Sequence, residues 1–524
     1  MTLPAPAGRR QVLRWAVAGS AALVLPARAW AALRADSNPF GLGVASGSPT
    51  PSSVVLWTRL LVPAGQGPIA VRWEVAHDEK FSRVVQAGQS LALPGLAHSV
   101  HAEVQGLEAD RWYFYRFVAG DAVSAVGRTR TFPAPGAAVA RLRLAYASCQ
   151  RWEHGYYSAW RHMRDENLDL VMFLGDYIYE YPNAANAVRA PTGGWVVTLD
   201  DYRQRYALHR SDADLQAMHA ACPWLVTWDD HEVQNDYAGL TQGNSGPPVE
   251  NFAVRRAAGY QAFYEHMPLP VSVLTRAMAG LAAGADMRLY SRQPYGRLAS
   301  LGMLDARQYK DAQVCTRDGK AGSSTLDPAT CPAWDDPARS MLGRQQEGWL
   351  DAELARAASR ESHWNVLGQQ SLFGRRDFKR GPGQVFWNDG WDGYAPARTR
   401  LTDALQKHQV ANPVLLGGDV HENWVGHVRA DYADTASAAV GVEFCGTSIT
   451  SRSAGNARIP EVLAENPHFL FADSERRGYG VAEFTPQRLT TTLRVVSDVT
   501  QQDSGIETLA QFSVEAGRPV IERR

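Results

Sequence analysis

Five times along this chain a short apolar run stops at a cluster of polar side chains. Leu142–Ala147 runs into Ser148-Cys149-Gln150, and Leu168–Leu174 runs into Gly175-Asp176, with Tyr179 three residues on. Trp224-Leu225-Val226-Thr227-Trp228 delivers Asp229-Asp230-His231-Glu232, His363–Gly368 ends at Gln369-Gln370, and Pro413–Leu416 leads through Gly417-Gly418 to Asp419-Val420-His421. Runs of this length read as buried strands. A helix-like segment, Tyr156–Glu166, separates the first two. Strands alternating with helical segments mark an α/β fold, in which ligands collect beyond the C-terminal ends of the strands. A thiol, a carboxylate and a phenol converging there point to a hard, highly charged metal ion.

Other stretches organise around this pattern. Leu199–His219, Asn251–His266 and Leu342–Ala358 read as helices. Phe40–Phe132 is different: Val54–Trp57, Ala70–Val75, Ser99–Val104 and Trp112–Val118 are short β-branched or aromatic runs spaced by turn residues. Gly106-Leu107 ahead of Trp112-Tyr113-Phe114-Tyr115 matches the corner tyrosine of immunoglobulin and fibronectin-type sandwiches. Pro133–Ala138 is a small-residue linker. The expected organisation is therefore a β-sandwich over 36–133, a packing or positioning module, and a layered α/β domain over 140–510.

Residues 1–31 carry an address. Arg9-Arg10 precede an uncharged run from Trp15 to Leu25 and an A-x-A-like site at Ala27-Arg28-Ala29, the pattern of a twin-arginine export signal. The run is shorter than the roughly 20 residues a bilayer needs, and no later segment is long and apolar enough to span one. Cys315 and Cys331 flank a Gly/Ser/Thr/Asp-rich loop and read as a disulfide formed in an oxidising compartment. Cys222 and Cys445 read as small buried hydrophobes. A formal net charge of -1 leaves no basic field to hold nucleic acid or an anionic membrane.

Each polar cluster also has a plainer reading. Asp229–Glu232 would serve as a helix cap, but acids and an imidazole packed together repel unless a cation joins them. Asp305-Ala306-Arg307 offers either an arginine near a substrate or a structural ion pair. Asn235 and Asp236 leave an additional cation open.

Taken in order, S-C-Q, G-D-x-x-Y, D-D-H-E, G-Q-Q and G-D-V-H resemble the motif series of calcineurin-type metallophosphatases, and most closely the alkaline phosphatase D (PhoD-like) family. The resemblance covers nearly the whole chain, and it implies an immunoglobulin/fibronectin-like sandwich followed by an α/β/β/α metallophosphatase domain like that of purple acid phosphatases. Ser148-Cys149-Gln150 stands where the usual D-x-H would be. Tyr179 replaces the second Asp of G-D-x-x-D, Asp230 the Asn of G-N-H-E, and Asp419 the first His of G-H-x-H, while His421 keeps the second. Gln370 falls near the family's lone His.

These replacements have their own chemistry. Cys149, Asp176, Tyr179 and His421 form a negatively charged set of mixed softness suited to Fe³⁺. Asp176 as a bridge, Asp230, Asp419 and Gln370 present only oxygen, which favours Ca²⁺, then Mg²⁺ or Mn²⁺. The resemblance implies the same iron and calcium pair, with His231 protonating the leaving oxygen while a metal-activated water attacks phosphorus. The expected protein is a periplasmic or secreted phosphohydrolase, exported by the twin-arginine machinery, cleaving phosphate monoesters and diesters for phosphate scavenging, with no stable nucleic-acid partner. A dedicated phosphodiesterase or phospholipase D-like hydrolase is the alternative within enzymes. A secreted binding protein with structural metals is the alternative outside them.

Overall fold

The computed structural model describes residues 38–274, 287–359 and 362–524; the expected export signal over 1–31 lies outside them. The described residues fall into two compact units. One is drawn from Met1–Phe132, Thr198–Trp224 and Ala253–Arg288, the other from Pro133–Val197, Leu225–Phe252 and Leu289–Arg524. Two segments inside the expected 140–510 stretch therefore cluster with the N-terminal residues.

In the first unit, alternation of burial along the chain makes the strands. Trp112–Ala119 hides every second side chain, the period-2 pattern that only a pleated strand can satisfy. Strands β1 (Val44–Gly47), β2 (Ser53–Arg59) and β5 (Ser99–Gln105) form one antiparallel sheet segment, and β3 (Ile69–Ala76), β4 (Val84–Ala92), β6 (Trp112–Ala119), β7 (Ala122–Val123) and β8 (Gly127–Arg130) form a second sheet. Val54, Leu56, Val100 and Val104 from the first meet Val71, Val75, Tyr113, Tyr115 and Phe117 from the second in one core, which is the expected sandwich. The corner tyrosine is present: the Glu108 backbone N–H donates to the buried Tyr113 hydroxyl at 3.0 Å.

The helix expected over Leu199–His219 is two, Leu199–Arg210 and Ala213–Ala221. Each has its own N-terminal cap. Thr198 and Asp201 satisfy each other's backbone N–H groups, and Asp212 accepts from Asp214 and Leu215 at 3.0 and 3.1 Å. A side-chain acceptor at Asp212 satisfies donors that a continuous helix would have bonded to its own carbonyls, so the chain restarts there.

The second unit carries the strands that end in polar clusters. β9 (Leu142–Ala147) and β10 (Leu170–Phe173) run parallel, with β11 (Trp224–Val226) next to β10. A second sheet holds β12 (Ser291–Tyr295), β13 (Ala299–Met303), β15 (Trp364–Gly368), β17 (Pro413–Gly417), β18 (Asn423–Arg429), β19 (Ala439–Cys445) and β20 (Phe469–Asp473), in the order β12-β13-β15-β17-β19-β18-β20. A small ladder pairs β14 (Thr325–Leu326) with β16 (Phe386–Trp387). The chain closes by adding β21 (Gly478–Phe484) antiparallel to β9, then β22 (Arg488–Val496), β23 (Ile506–Glu515) and β24 (Ile521–Arg523), each antiparallel to the strand before it.

The two sheets stack. A Cβ on Gly368 would lie 2.6 Å from Met172 of β10, and Trp364 of β15 meets Phe484 of β21 at 5.7 Å. Helices Arg344–Ser359 and Ala395–Lys407 bury Leu350, Leu354, Leu401 and Leu405 against Leu367, Leu415 and Val428 of the second sheet. Helix Ser158–Arg164 lies on the other side, with Trp160 against Phe173 of β10 at 6.0 Å. The result is the α/β/β/α layering expected from the sequence. Since β9, β10, β13, β15 and β17 run in parallel sets, their polar termini gather at one edge of the stack.

In the first unit a buried histidine ties stability to pH. His266 contacts the Ala262 carbonyl through Nδ1 at 2.7 Å and the Arg59 guanidinium through Nε2 at 2.6 Å. Nε2 must therefore accept, and the ring is neutral. Burial first, and the Arg59 charge second, hold its pKa well below the usual histidine value. The unfolded chain takes up a proton below about pH 6.5 that the folded chain refuses, so stability falls as pH falls through that range. The thermal unfolding midpoint is expected to drop between pH 7 and pH 5. His266→Gln keeps an acceptor for Arg59 and removes the titration, so its midpoint should start lower at pH 7 yet fall less; an equal fall would locate the effect elsewhere.

Candidate metal centre

The strand ends do not simply stop; they turn through backbone that side chains rarely adopt. Cys149, Asp176, Asp236, Asp419 and His421 have φ of 60°, 60°, 58°, 67° and 59°. Left-handed conformations at non-glycine residues cost of order 1–3 kcal/mol in sparsely populated regions and concentrate at functional sites. The loops lock one another in place. Cys149 N donates to the Gly175 carbonyl and Gln150 N to the Asp176 carbonyl, both at 3.1 Å. Gly175 has φ 111°, and a Cβ there would lie 2.5 Å from the Asp229 side chain, so only glycine lets the two acidic loops approach.

Three overlapping groups of ligand atoms result among the described residues, each spanning no more than 4.8 Å: Cys149, Asp176 and His421; Asp176, Asp230 and His231; Asp230, Asp236 and Asp389. Tyr179 completes the first, its hydroxyl donating to Asp176 Oδ2 at 2.9 Å and lying 3.2 Å from His421 Nε2. The Tyr179 hydroxyl also accepts from Ser451 at 2.7 Å. His421 Nδ1 contacts the Arg452 carbonyl at 2.8 Å, so Nδ1 carries the proton and Nε2 offers its lone pair inward, the arrangement of a metal-ligating histidine.

The surroundings hold these groups in place. Glu232 accepts from the backbone N–H groups of Tyr177, Asp229 and Asp176 at 2.6, 2.8 and 3.2 Å. Its burial nonetheless pushes the carboxyl up to about 8. Arg307, 1% exposed, pairs with Asp229 and lies 2.6 Å from Asp389 and 3.5 Å from Asp230. Lys310 reaches Asp389 at 2.7 Å. Burial pushes Asp230 and Asp389 up, but Arg307 together with His231 at Asp230, and with Lys310 and Gln313 at Asp389, leaves both below the usual carboxylate range.

Asp176 has no such relief: burial first, then neighbouring carboxylates, drives it well above that range. Burial and Asp229 hold Asp419 well above it too, although the Arg307 charge pulls the other way. Asp176 Oδ1, Asp229 Oδ2 and Asp230 Oδ1 are buried with no hydrogen-bond partner. Orphaned carboxylate oxygens crowded in this way are what cations relieve, and the donor set fits them.

His231 sits beside the acids. Its Nδ1 meets Glu180 Oε2 at 2.6 Å, and Glu180 Oε1 accepts from Asn235 N at 2.8 Å. Burial lowers the pKa of the ring, but Glu180 and Asp230 outweigh it and raise it overall. Arg151, just past the first cluster and buried, lies over the Tyr179 ring at 3.9 Å.

The residues read from the sequence are thus gathered unevenly. Cys149, Asp176, Tyr179 and His421 come together, as do Asp176, Asp230 and His231. Asp419 is close enough to feel Asp229 and Asp230 and lies outside the three ligand groups. Gln370 is not a ligand. Its amide donates to Thr227 Oγ1, Trp228 O and Leu304 O and accepts from Ala306 N, which stitches three strand ends together. Arg307 takes the structural alternative. Asp389, Lys310 and Glu180 escaped sequence reasoning. Glu180 directly follows Tyr179, a position that invited attention, but Asn388-Asp389-Gly390 follows no long apolar run and gave no signal. Cys315 and Cys331 are bridged, and Cys222 and Cys445 are buried.

A fold of two stacked sheets gathers acids, a thiol, a phenol and imidazoles at one strand edge into a candidate metal centre, the layout expected of a phosphatase of this fold. Residues 144–493 match the PhoD-like phosphatase family model and residues 26–133 match that of the PhoD-like phosphatase N-terminal domain. The chain is 45% identical over 491 residues to alkaline phosphatase D of Bacillus subtilis (strain 168), covering 91% of this chain and 81% of that protein. It also superposes on a solved structure of PhoD with a TM-score of 0.86 at 44% identity, covering 94% of this chain and 93% of the other. The chain belongs to the PhoD-like phosphatase family, and it is an enzyme rather than a binding protein.

Arg307→Met keeps the volume and removes the countercharge from Asp229, Asp230 and Asp389. Breaking a buried pair in this way costs about 3–5 kcal/mol. Denaturant unfolding of the metal-free protein should show that loss, and saturating Ca²⁺ should recover part of it by supplying the missing positive charge. A loss under 1 kcal/mol would mean the acids are not held by Arg307.

Proposed function

We propose that this chain is an exported, metal-dependent phosphohydrolase that cleaves phosphate monoesters and diesters outside the cytoplasm, releasing phosphate for uptake. Family membership makes it a phosphatase. The observation that carries the metal dependence is the trio of overlapping ligand groups with orphaned oxygens on Asp176, Asp229 and Asp230. Residues 1–31 would direct export, and no helix of the described residues is long and apolar enough to cross a membrane.

Cys149, Asp176, Tyr179 and His421 would hold Fe³⁺, since a thiolate, a phenolate and an imidazole beside a carboxylate suit a trivalent cation of mixed softness. Asp176 and Asp230, with Asp419 nearby, would hold Ca²⁺, with Mg²⁺ or Mn²⁺ as substitutes. When bound, such a pair supplies an activated water and neutralises charge on the phosphoryl oxygens. The protein's own groups do the rest. Arg151 adds a buried positive charge beside Tyr179 that favours a phosphoryl dianion. Glu180 fixes the tautomer of His231, placing a proton on Nδ1 of a ring that shares a ligand group with Asp176 and Asp230. The protonated ring would then pass its Nε2 proton to the oxygen that leaves phosphorus.

Two measurements test this. His231→Asn should lower kcat/KM by about 10²–10⁴-fold on alkyl phosphates, the usual worth of general acid help, and much less on p-nitrophenyl phosphate, whose leaving group needs no proton. Equal losses on both would remove His231 from proton transfer. The purified protein should contain iron and calcium and show a visible charge-transfer band that Tyr179→Phe lacks. Full activity without iron would overturn the assignment of Cys149, Tyr179 and His421.

A further inference from the structure

A ladder of aromatic rings runs outward from the site past His231, and its outer rungs are not used by the chemistry above. Tyr179, within the ligand groups, meets the His231 ring at 4.1 Å; His231 meets Tyr181 at 5.7 Å; Tyr181 meets Trp195 at 5.1 Å, tilted by 32°. Exposure rises along the series, from 1% at Tyr179 and 6% at His231 through half-buried Tyr181 to 37% at Trp195. An exposed tryptophan costs solvation, and this one is held in place. A Cβ on Gly246, which has φ 78°, would lie 2.5 Å from the Trp195 ring, so the indole rests against glycine backbone. The adjoining Val196 N–H donates to the Glu180 carbonyl at 2.7 Å. Glu180 thus holds His231 with its carboxylate and registers the Trp195 segment with its main chain. Arg151 covers the Tyr181 ring at 4.4 Å and donates to the Tyr181 carbonyl at 3.2 Å, which fixes the middle rung.

We propose that Tyr181 and Trp195 form a leaving-group platform, selecting phosphate esters whose leaving group carries a planar aromatic ring about a sugar's length from the phosphoester oxygen, as in a nucleoside phosphate. This rests on the reading of His231 as donor to the leaving oxygen. A leaving group carried by an oxygen at His231 and directed outward, along the rise in exposure, meets Tyr181 and then Trp195. A ring bonded directly to the ester oxygen reaches only Tyr181. A base carried on a ribose reaches Trp195 and stacks there, a contact that tolerates any base because every base has a π-face. A glycerol-type leaving group has no face to stack.

The test compares adenosine 5′-monophosphate, phenyl phosphate and glycerol 1-phosphate on the metal-loaded full chain and on Trp195→Ala and Trp195→Phe. Taking variant-to-wild-type ratios for each ester cancels intrinsic leaving-group reactivity. The expected result is that Trp195→Ala lowers kcat/KM for the nucleotide about tenfold relative to the other two, mainly through KM, and that Trp195→Phe restores most of it. Adenosine as a competitive inhibitor should weaken by a similar factor in Trp195→Ala. If all three esters fall together, or Trp195→Phe fails to rescue, Trp195 is structural and the platform is overturned. A loss confined to phenyl phosphate would end the platform at Tyr181 and overturn the assignment to nucleosides. If the wild type turns over none of the three when loaded with iron and calcium, the hydrolytic reading falls and the platform with it.

Discussion

Six aspartates, Asp176, Asp229, Asp230, Asp236, Asp389 and Asp419, feel one another's charge at one edge of the stacked sheets. In water such a group would disperse, and in a protein interior it survives only with matching positive charge. Arg307 and Lys310 supply some of that charge from within the chain, against Asp229, Asp230 and Asp389. Asp176 receives none of it directly, and its Oδ1 is left buried without a hydrogen-bond partner.

Holding such a charge group at fixed spacing requires stiffness, and the fold provides it at three levels. Parallel strands end together, so several loops emerge from one edge. Within those loops, left-handed residues turn side chains sharply inward. Behind them, Glu232 and Gln370 spend their polar atoms on backbone groups of neighbouring loops. A carboxylate and an amide, residue types that sequence reading associates with ligands, here act as fasteners, because a buried loop terminus leaves backbone donors and acceptors that must be satisfied.

Much of this was legible along the chain. The strand runs that end in Cys149, Asp176, Asp230 and His421 announced themselves by apolar length followed by polar residues. The sandwich showed itself through short alternating runs and the turn ahead of Tyr113. What failed to show did so for identifiable reasons. Asp389 lies in a turn after a two-residue strand, too short for any period. The break at Asp212 hides because residues on both sides favour helix, and one capping side chain decides it.

The sequence by itself determined which chemical groups stand at strand ends, since the period of burial fixes where a strand stops and the next residue faces the edge. It also determined the two-part architecture and the family. Only the tertiary structure decided which of those groups meet, and with what partners. Whether Arg307 faces a substrate or Asp389, whether Gln370 binds a metal or three backbone groups, and whether His231 is oriented by Glu180 depend on contacts between residues up to 140 or more positions apart. Such contacts are set by how sheets stack and loops interlock, and no local pattern encodes them.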